Sequence, residues 1–357
     1  MEIAAKAVLQ VGCFGTDNLG DEMGAREIRR QLRARFPGAS LQFAMVTRDP
    51  AHSARTHPDV KAFFTEDALA RGDVPLGDFA LIVLGPGTLL GEKMIRSARF
   101  LLRHLRGQAP RLFIWGCGVD PIRPGRSPRD LTSLCSLAHR ITVRNQRCAQ
   151  YLANAGIADR VHATADPLFA AQALPRKPSG ATAVTVTISE TMLRLGPLLR
   201  RSLMQSLAGA MHRYCSETRA RLYFLPMRII GHKRWRSDLE WAEALSRAMP
   251  REIRLITDNS EGALLEYLSA ADLYIGTRLH GCLLAAVAGC RVLGIGWSEK
   301  MVQLFNDLEL PDALLPPRQA ADPDLLHQAM RSARPADRQT IAHLRIRAQS
   351  TAHLVSL

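Results

Sequence analysis

The chain has 357 residues, carries 47 lysines and arginines against 33 aspartates and glutamates for a net charge of +14, and is 47% apolar and 22% charged. Those proportions exclude a disordered or fibrous chain, and the length exceeds an ordinary domain of ~100–200 residues, so two cored domains are expected. The positive charge asks for an anionic partner and leaves nucleic acid, an acidic membrane surface and a phosphorylated or carboxylated small molecule open.

Seven scattered cysteines, Cys13, Cys117, Cys135, Cys148, Cys215, Cys282 and Cys290, include no Cys-x-x-Cys pair. They suggest neither a disulfide framework nor a zinc site, and they fit a reducing cytoplasm. The opening MEIAAKAVLQVGCFG lacks a basic segment followed by a sustained apolar one, so no cleaved leader is expected. The longest apolar stretch, Phe79 to Leu90, is broken by Gly85, Pro86 and Gly87 and falls short of the ~20 residues a membrane span needs.

In chain order, apolar runs predict strands at Ala7–Gly12, Leu41–Val46, Val60–Phe64, Phe79–Leu84, Leu112–Trp115, Ile141–Val143 and Val161–Ala163. Several are apolar on consecutive positions, which suits parallel strands covered on both faces. Stretches such as Asp21–Phe36 and Ile95–Arg106 carry helical spacing between them. A polar, proline-bearing break at Leu174–Gly180 precedes a restart of the rhythm. Strands are then predicted at Ala183–Ile188, Leu222–Leu225, Arg254–Ile256, Leu273–Ile275 and Val292–Ile295, and helices at Pro197–Glu217, Ser237–Ala248, Gly262–Ala270 and His280–Ala288. The fold class is α/β, with two Rossmann-like domains facing across a cleft: residues 1–175, 180–321, and a helical tail 322–357 that packs back on the first domain.

In such folds ligands gather beyond the carboxyl ends of the strands, so the strand-end loops carry the functional reading. The first, Gly12-Cys13-Phe14-Gly15-Thr16-Asp17-Asn18-Leu19-Gly20-Asp21-Glu22, opens a helix but matches neither a dinucleotide fingerprint nor a Walker loop. Asp21 is either the helix cap or, with Asp17 and Asn18, a ligand contact and candidate base. Glycine loops are also expected at Gly85–Gly91, presenting Gly87 and Thr88, and at Gly116–Asp120. Arg144 follows a strand and is read either as a surface arginine or as a guanidinium presented to the cleft. Asp166, before Pro167, is read first as a turn organiser.

The most informative stretch is Leu273-Tyr274-Ile275-Gly276-Thr277-Arg278-Leu279-His280-Gly281. It places Arg278 and His280 at a strand-to-helix turn, where the helix dipole and two side chains suit a phosphate or carboxylate. Histidine titrates near neutrality, as a proton donor must. Lys300, after the next strand, is either a solvated lysine or a third cation for the same pocket.

These features together resemble the polysaccharide pyruvyl transferase family. The resemblance rests on Gly12 to Glu22, the glycine turn after the fourth strand, Arg144, Ala165-Asp166-Pro167, and Gly276-Thr277-Arg278-Leu279-His280 with Ala285, Gly289 and Lys300, in order from about residue 8 to 303. One departure is Pro86, where the family often carries glycine; proline removes an amide donor from that turn. The resemblance implies a GT-B-like fold and transfer of a pyruvyl group from phosphoenolpyruvate to two sugar hydroxyls, giving a cyclic ketal and phosphate. It implies a donor held by the second domain, with Arg278, Arg144 and Lys300 on its anionic groups, His280 as acid or phosphate partner, and Asp21 as base. Neither cofactor nor metal is required. The implied partners are phosphoenolpyruvate and a sugar or lipid-linked oligosaccharide acceptor.

Two basic stretches, Arg228–Arg236 and the helix bearing Arg96, Arg99, Arg103 and Arg106, are read as solvated surface, with docking on anionic lipid at the inner membrane face as the functional alternative. A nucleotide-sugar glycosyltransferase of GT-B-like fold is the competing enzyme reading; no acidic residue is convincingly placed to hold a ribose. A nucleic-acid-binding protein is the reading from another class. An aromatic content of 6% and the lack of a recognised module speak against it, so no nucleic acid is expected as a partner.

Overall fold

The computed structural model describes residues 6–92, 94–105, 111–123, 128–172, 174–176, 182–231 and 236–357. The chain forms two compact units, one of residues 1–170 with 344–357 and the other of residues 171–343. In the first, strands β1 (Lys6–Val11), β2 (Leu41–Thr47), β3 (Val60–Thr65), β4 (Leu81–Leu84), β5 (Gly87–Leu90), β6 (Arg111–Val119), β7 (Ala138–Val143) and β8 (Val161–Ala163) form one parallel sheet. Its order is β3-β2-β1-β4-β6-β7-β8, with β5 beside the far end of β6.

The consecutive apolar residues are explained by burial on both faces. Leu9, Val11, Ile82, Leu84 and Ile114 enter one core layer. Their neighbours Val8, Leu81, Val83, Phe113 and Trp115 enter the opposite one. Alternate side chains of a strand point to opposite faces, so a sheet sandwiched between helices needs apolar residues at every position.

The second unit repeats the plan with β9 (Ala183–Thr187), β10 (Arg221–Phe224), β11 (Arg254–Leu255), β12 (Leu273–Gly276), β13 (Arg291–Ile295) and β14 (Leu314–Leu315). These pair in parallel in the order β11-β10-β9-β12-β13-β14. In each sheet the winding reverses beside the first strand, between β1 and β4 and between β9 and β12. Successive loops diverge there and leave room for a ligand beyond the strand ends.

Two expected loops are strands in part. Gly87–Leu90 forms β5, and Gly116–Val119 continues β6, which accommodates the change by a register shift between Ile114 and Cys117. Glycine disfavours strand on propensity alone, so the local signal stops too early, while pairing with a neighbouring strand overrides it. Residues 322–357 are shared between the units. The helix Pro323–Ser332 lies in the second unit, where Asp324 pairs with Arg213 at 3.1 Å. At the chain's end, Arg347 Nη2 donates to the Thr164 carbonyl at 2.6 Å within the first unit. None of the seven cysteines forms a disulfide. Among the described residues no helix is long and apolar enough to cross a membrane.

Candidate functional site

In the first unit the helix Leu19–Arg35 starts behind Asn18, not behind Asp21. Asp21 therefore does not cap it. It lies in the first turn, where its amide donates to the Asn18 carbonyl at 2.9 Å and its carboxylate accepts from Asn18 Nδ2. Asp17 sits just before, in the left-handed region at φ 55°, with its carboxylate 3.7 Å from His52 Nε2. The helix N-terminus favours this concentration of negative charge.

Asp21 also borders β5: a Cβ on Gly87 would lie 3.4 Å from Asp21 Oδ1. In the register of β5 with β6, Thr88 lies opposite Gly118. A side chain at Gly118 would run into Arg144 Cζ at 2.7 Å and Thr88 Oγ1 at 2.8 Å, so the bare backbone there is what lets guanidinium and hydroxyl converge. Asn18, Asp21, Gly87, Thr88 and Arg144, drawn from three separate segments, thus form one continuous patch, with Asp17 at its edge.

Arg144 decides what that patch can do. It is only 8% exposed, its backbone amide is bonded to the Cys117 carbonyl at 3.2 Å, and among the described residues no carboxylate lies within ion-pair range of its guanidinium. A desolvated cation without a counter-charge is costly, and a bound phosphate or carboxylate removes that cost through charge-assisted hydrogen bonds. Asp166, nearby in sequence, organises a turn: its carboxylate accepts from the Leu168 amide at 3.1 Å.

Behind the patch runs a buried polar network that sequence reasoning missed. Glu22 Oε1 accepts from the Gly15 amide at 2.9 Å, and its Oε2 lies 2.8 Å from His57 Nε2. His57 Nδ1 faces Arg29 Nη2 at 3.0 Å. Arg29 further donates to both Asp59 oxygens at 2.9 Å and to Gln10 Oε1 at 2.7 Å. A guanidinium only donates, so Nδ1 must accept and the His57 proton resides on Nε2, directed at Glu22. Burial pushes the His57 pKa down, against the pull of Glu22, and keeps the ring neutral. This chain anchors the Gly12–Gly20 loop through a single amide. Its only sequence signal is that Glu22 and Arg29, seven apart, share one helix face with buried apolar residues.

In the second unit, Arg278 occupies the cap position of the helix Leu279–Val287. Its Nε donates to Asp238 Oδ2 at 2.8 Å and its Nη2 to Oδ1. Asp238 is fully buried and also accepts from the amides of Met227 and Arg228, at 2.9 and 3.2 Å. The Arg278 charge is therefore already matched, by a partner forty residues upstream that no local pattern announces. Arg228 is likewise paired, with Glu190 at 3.0 Å, so the basic stretch beginning there is not wholly solvated surface; its residues 232–235 lie outside the described ones. Thr277 Oγ1 accepts from the Ser189 amide at 2.9 Å and joins the ends of β9 and β12. His280 is half-buried in the first helical turn, and Lys300 is exposed at the start of the helix Glu299–Asp307.

Gly281 holds that turn in place, because a Cβ there would collide with the hydroxyl of the buried Tyr274. Overpacking of this kind costs about 1–3 kcal/mol. Gly281→Ala is expected to lower the urea midpoint accordingly, with partial recovery in the double variant with Tyr274→Phe; no change in midpoint would contradict the packing.

The family model for polysaccharide pyruvyl transferase matches residues 18–299. The chain belongs to this family. The match spans every residue of the first-unit patch except Asp17, takes in Arg278 and His280, and stops one residue before Lys300. Comparison with curated proteins returned no match. Among solved structures, this pyruvyl transferase family member is similar to UDP-GlcNAc 2-epimerase from Methanocaldococcus jannaschii, at TM-score 0.65 and 9% identity over 98% of this chain and 99% of that one. It is also similar to UDP-GlcNAc 2-epimerase from Neisseria meningitidis bound to UDP-GlcNAc, at TM-score 0.61 and 10% identity over 97% and 94%. Acinetobacter baumannii MurG gives TM-score 0.51 and 12% identity over 98% of each chain. At such identities the likeness shows the fold, which is the GT-B-like α/β architecture of these epimerases and glycosyltransferases, and not the reaction.

Proposed function

We propose that the protein moves the pyruvyl group of phosphoenolpyruvate onto two hydroxyls of a sugar in a polysaccharide precursor, closing a cyclic ketal and releasing phosphate. The observation that carries this reading is Arg144, a nearly buried guanidinium with no carboxylate in ion-pair range among the described residues, held against the Thr88 hydroxyl over Gly118, while Asp21 borders the neighbouring Gly87. The donor is a small molecule with both a phosphate and a carboxylate, which fits a desolvated cation better than a neutral sugar does.

Proton transfer to the methylene carbon makes the adjacent carbon oxocarbenium-like, and the first sugar hydroxyl adds there. The second hydroxyl then replaces phosphate at the same carbon. Of the two hydroxyl protons, one balances the proton delivered to carbon and the other leaves on phosphate. Asp21 is assigned as acceptor of a hydroxyl proton, with Asn18 orienting its carboxylate. His280 is assigned as the donor to carbon or as the phosphate's partner. Arg278, neutralised by Asp238, is assigned to hold the start of the His280 helix, a change from the direct anion contact that its position in the sequence suggests.

Phosphate release from phosphoenolpyruvate, followed with and without a sugar acceptor, tests the reading: release is expected only with acceptor. Thermal stabilisation by phosphoenolpyruvate but not by UDP-GlcNAc is expected alongside, since a ligand binding only the folded state raises its melting temperature. The opposite pattern of stabilisation favours the nucleotide-sugar reading and removes this one.

A further inference from the structure

After β9 the chain passes through a short 3-10 segment, Glu190–Arg194, and enters the helix Pro197–Thr218. Leu198, in the first turn of that helix, is 84% exposed, more than any other large apolar residue described, and Leu193 just before the corner is exposed as well. The inner face of the helix is satisfied without them, since Leu203, Leu207 and Met211 are buried in the core of the unit. Leu198 and Arg201, three apart, share the outer face, and both are exposed.

Between Thr191 and Ser202 the chain carries Arg194, Arg200 and Arg201 and no acid. Among the described residues none of the three arginines forms an ion pair. The acid immediately upstream, Glu190, is bound to Arg228. Two exposed leucines thus lie among three cations that form no ion pair among the described residues. The basic helix singled out in the sequence differs: Arg96 and Arg103 lie over the Phe100 ring at 5.4 and 5.8 Å and cover the apolar group there.

We propose that this corner is a membrane-docking knuckle, with Leu193 and Leu198 entering the headgroup region of an anionic bilayer while Arg194, Arg200 and Arg201 bind lipid phosphates. The occupant follows from charge and exposed apolar surface. Two exposed leucines among three cations match an anionic interface, which accepts apolar side chains and cationic heads together. The knuckle begins at Leu193, four residues after Ser189, near the strand ends of the second sheet. Docking there holds the loops bearing Thr277 and Arg278 next to the lipid surface, where a lipid-linked acceptor resides. The docking itself does not depend on the pyruvyl-transfer reading.

Co-sedimentation of the full chain with phosphatidylcholine vesicles, and with vesicles that also contain phosphatidylglycerol, tests the proposal. Binding is expected only to the anionic vesicles and is expected to weaken with salt. Leu198→Glu is expected to lower partitioning about ten-fold. Each of Arg194→Gln, Arg200→Gln and Arg201→Gln is expected to lower it about five-fold. Leu198, Arg194 and Arg201 are exposed and Arg200 is half-buried, so the melting temperature serves as the control for folding. Absence of binding to anionic vesicles overturns the proposal. So does equal loss on replacing Arg96, Arg99 and Arg103, or a Leu198→Glu chain that changes its mass in sedimentation equilibrium while binding vesicles as before, which would make the corner a contact between copies.

Discussion

Arg144→Ala is expected to lower turnover about 10²–10³-fold, the loss typical when a preorganised donor to developing or resident negative charge is removed. The size follows from the environment. Arg144 is 8% exposed, and its guanidinium is held over Gly118 against Thr88 with no carboxylate in ion-pair range among the described residues, so an anion bound there would meet little competition from water. The same variant is expected to lose the thermal stabilisation conferred by phosphoenolpyruvate while the unliganded chain melts no lower, because an unpaired buried cation is a burden on the folded state. Arg144→Lys is expected to recover little, since an ammonium cannot reproduce the planar fork. If Arg144→Ala is as active as the wild type, the anion site lies elsewhere and the roles given to Thr88 and Asp21 fall with it.

Arg29→Ala is expected to destabilise the first unit by about 3–5 kcal/mol, the cost of leaving the other members of a buried ionic network without their partner. Arg29 is fully buried and holds Gln10, His57 and Asp59 simultaneously. Urea unfolding reads the loss directly, and a shift below 1 kcal/mol would show that the network is not energetically coupled.

The network also sets an acid limb. The His57 pKa is pushed below 6.5 in the folded chain, so the unfolded chain binds the proton more readily. Its contribution to stability is complete above 6.5 and falls as pH drops below that value. Burial works to raise the Asp59 pKa, but Arg29 and Arg33 outweigh it and hold the carboxyl at about 2, below its ordinary 3.8. That contribution is complete above 3.8 and fades as pH falls toward 2. Wild type is expected to lose stability as pH falls below about 6.5, and His57→Gln to show a flatter profile. Parallel profiles for the two proteins would assign the acid limb to other groups.

The α/β class and the strand positions were legible because a parallel sheet buried on both faces demands unbroken apolar runs, as in β1, β4 and the Leu112–Trp115 part of β6. The glycine-bearing ends of β5 and β6 were not, since their strand character comes from pairing with each other. In the sequence Asp21 is open between helix cap and ligand contact because aspartate favours the cap, yet the helix begins at Leu19 and leaves Asp21 inside its first turn, which removes the cap reading. His57 and Arg29 gave no usable signal: a lone histidine in a short helix-to-strand connection and an arginine within a helix are ordinary in any sequence.

The sequence by itself determined the architecture, the family and the short set of strand-end residues from which a site is built, because hydrophobic periodicity and motif order are local properties of the chain. Only the tertiary structure decided which of those residues are electrically available. Arg278 and Arg144 look alike as strand-end arginines, but one is folded against buried Asp238 and the other is buried with no carboxylate in ion-pair range among the described residues. Counter-charge depends on what long-range packing brings within a few ångströms, and spacing along the chain carries no record of it.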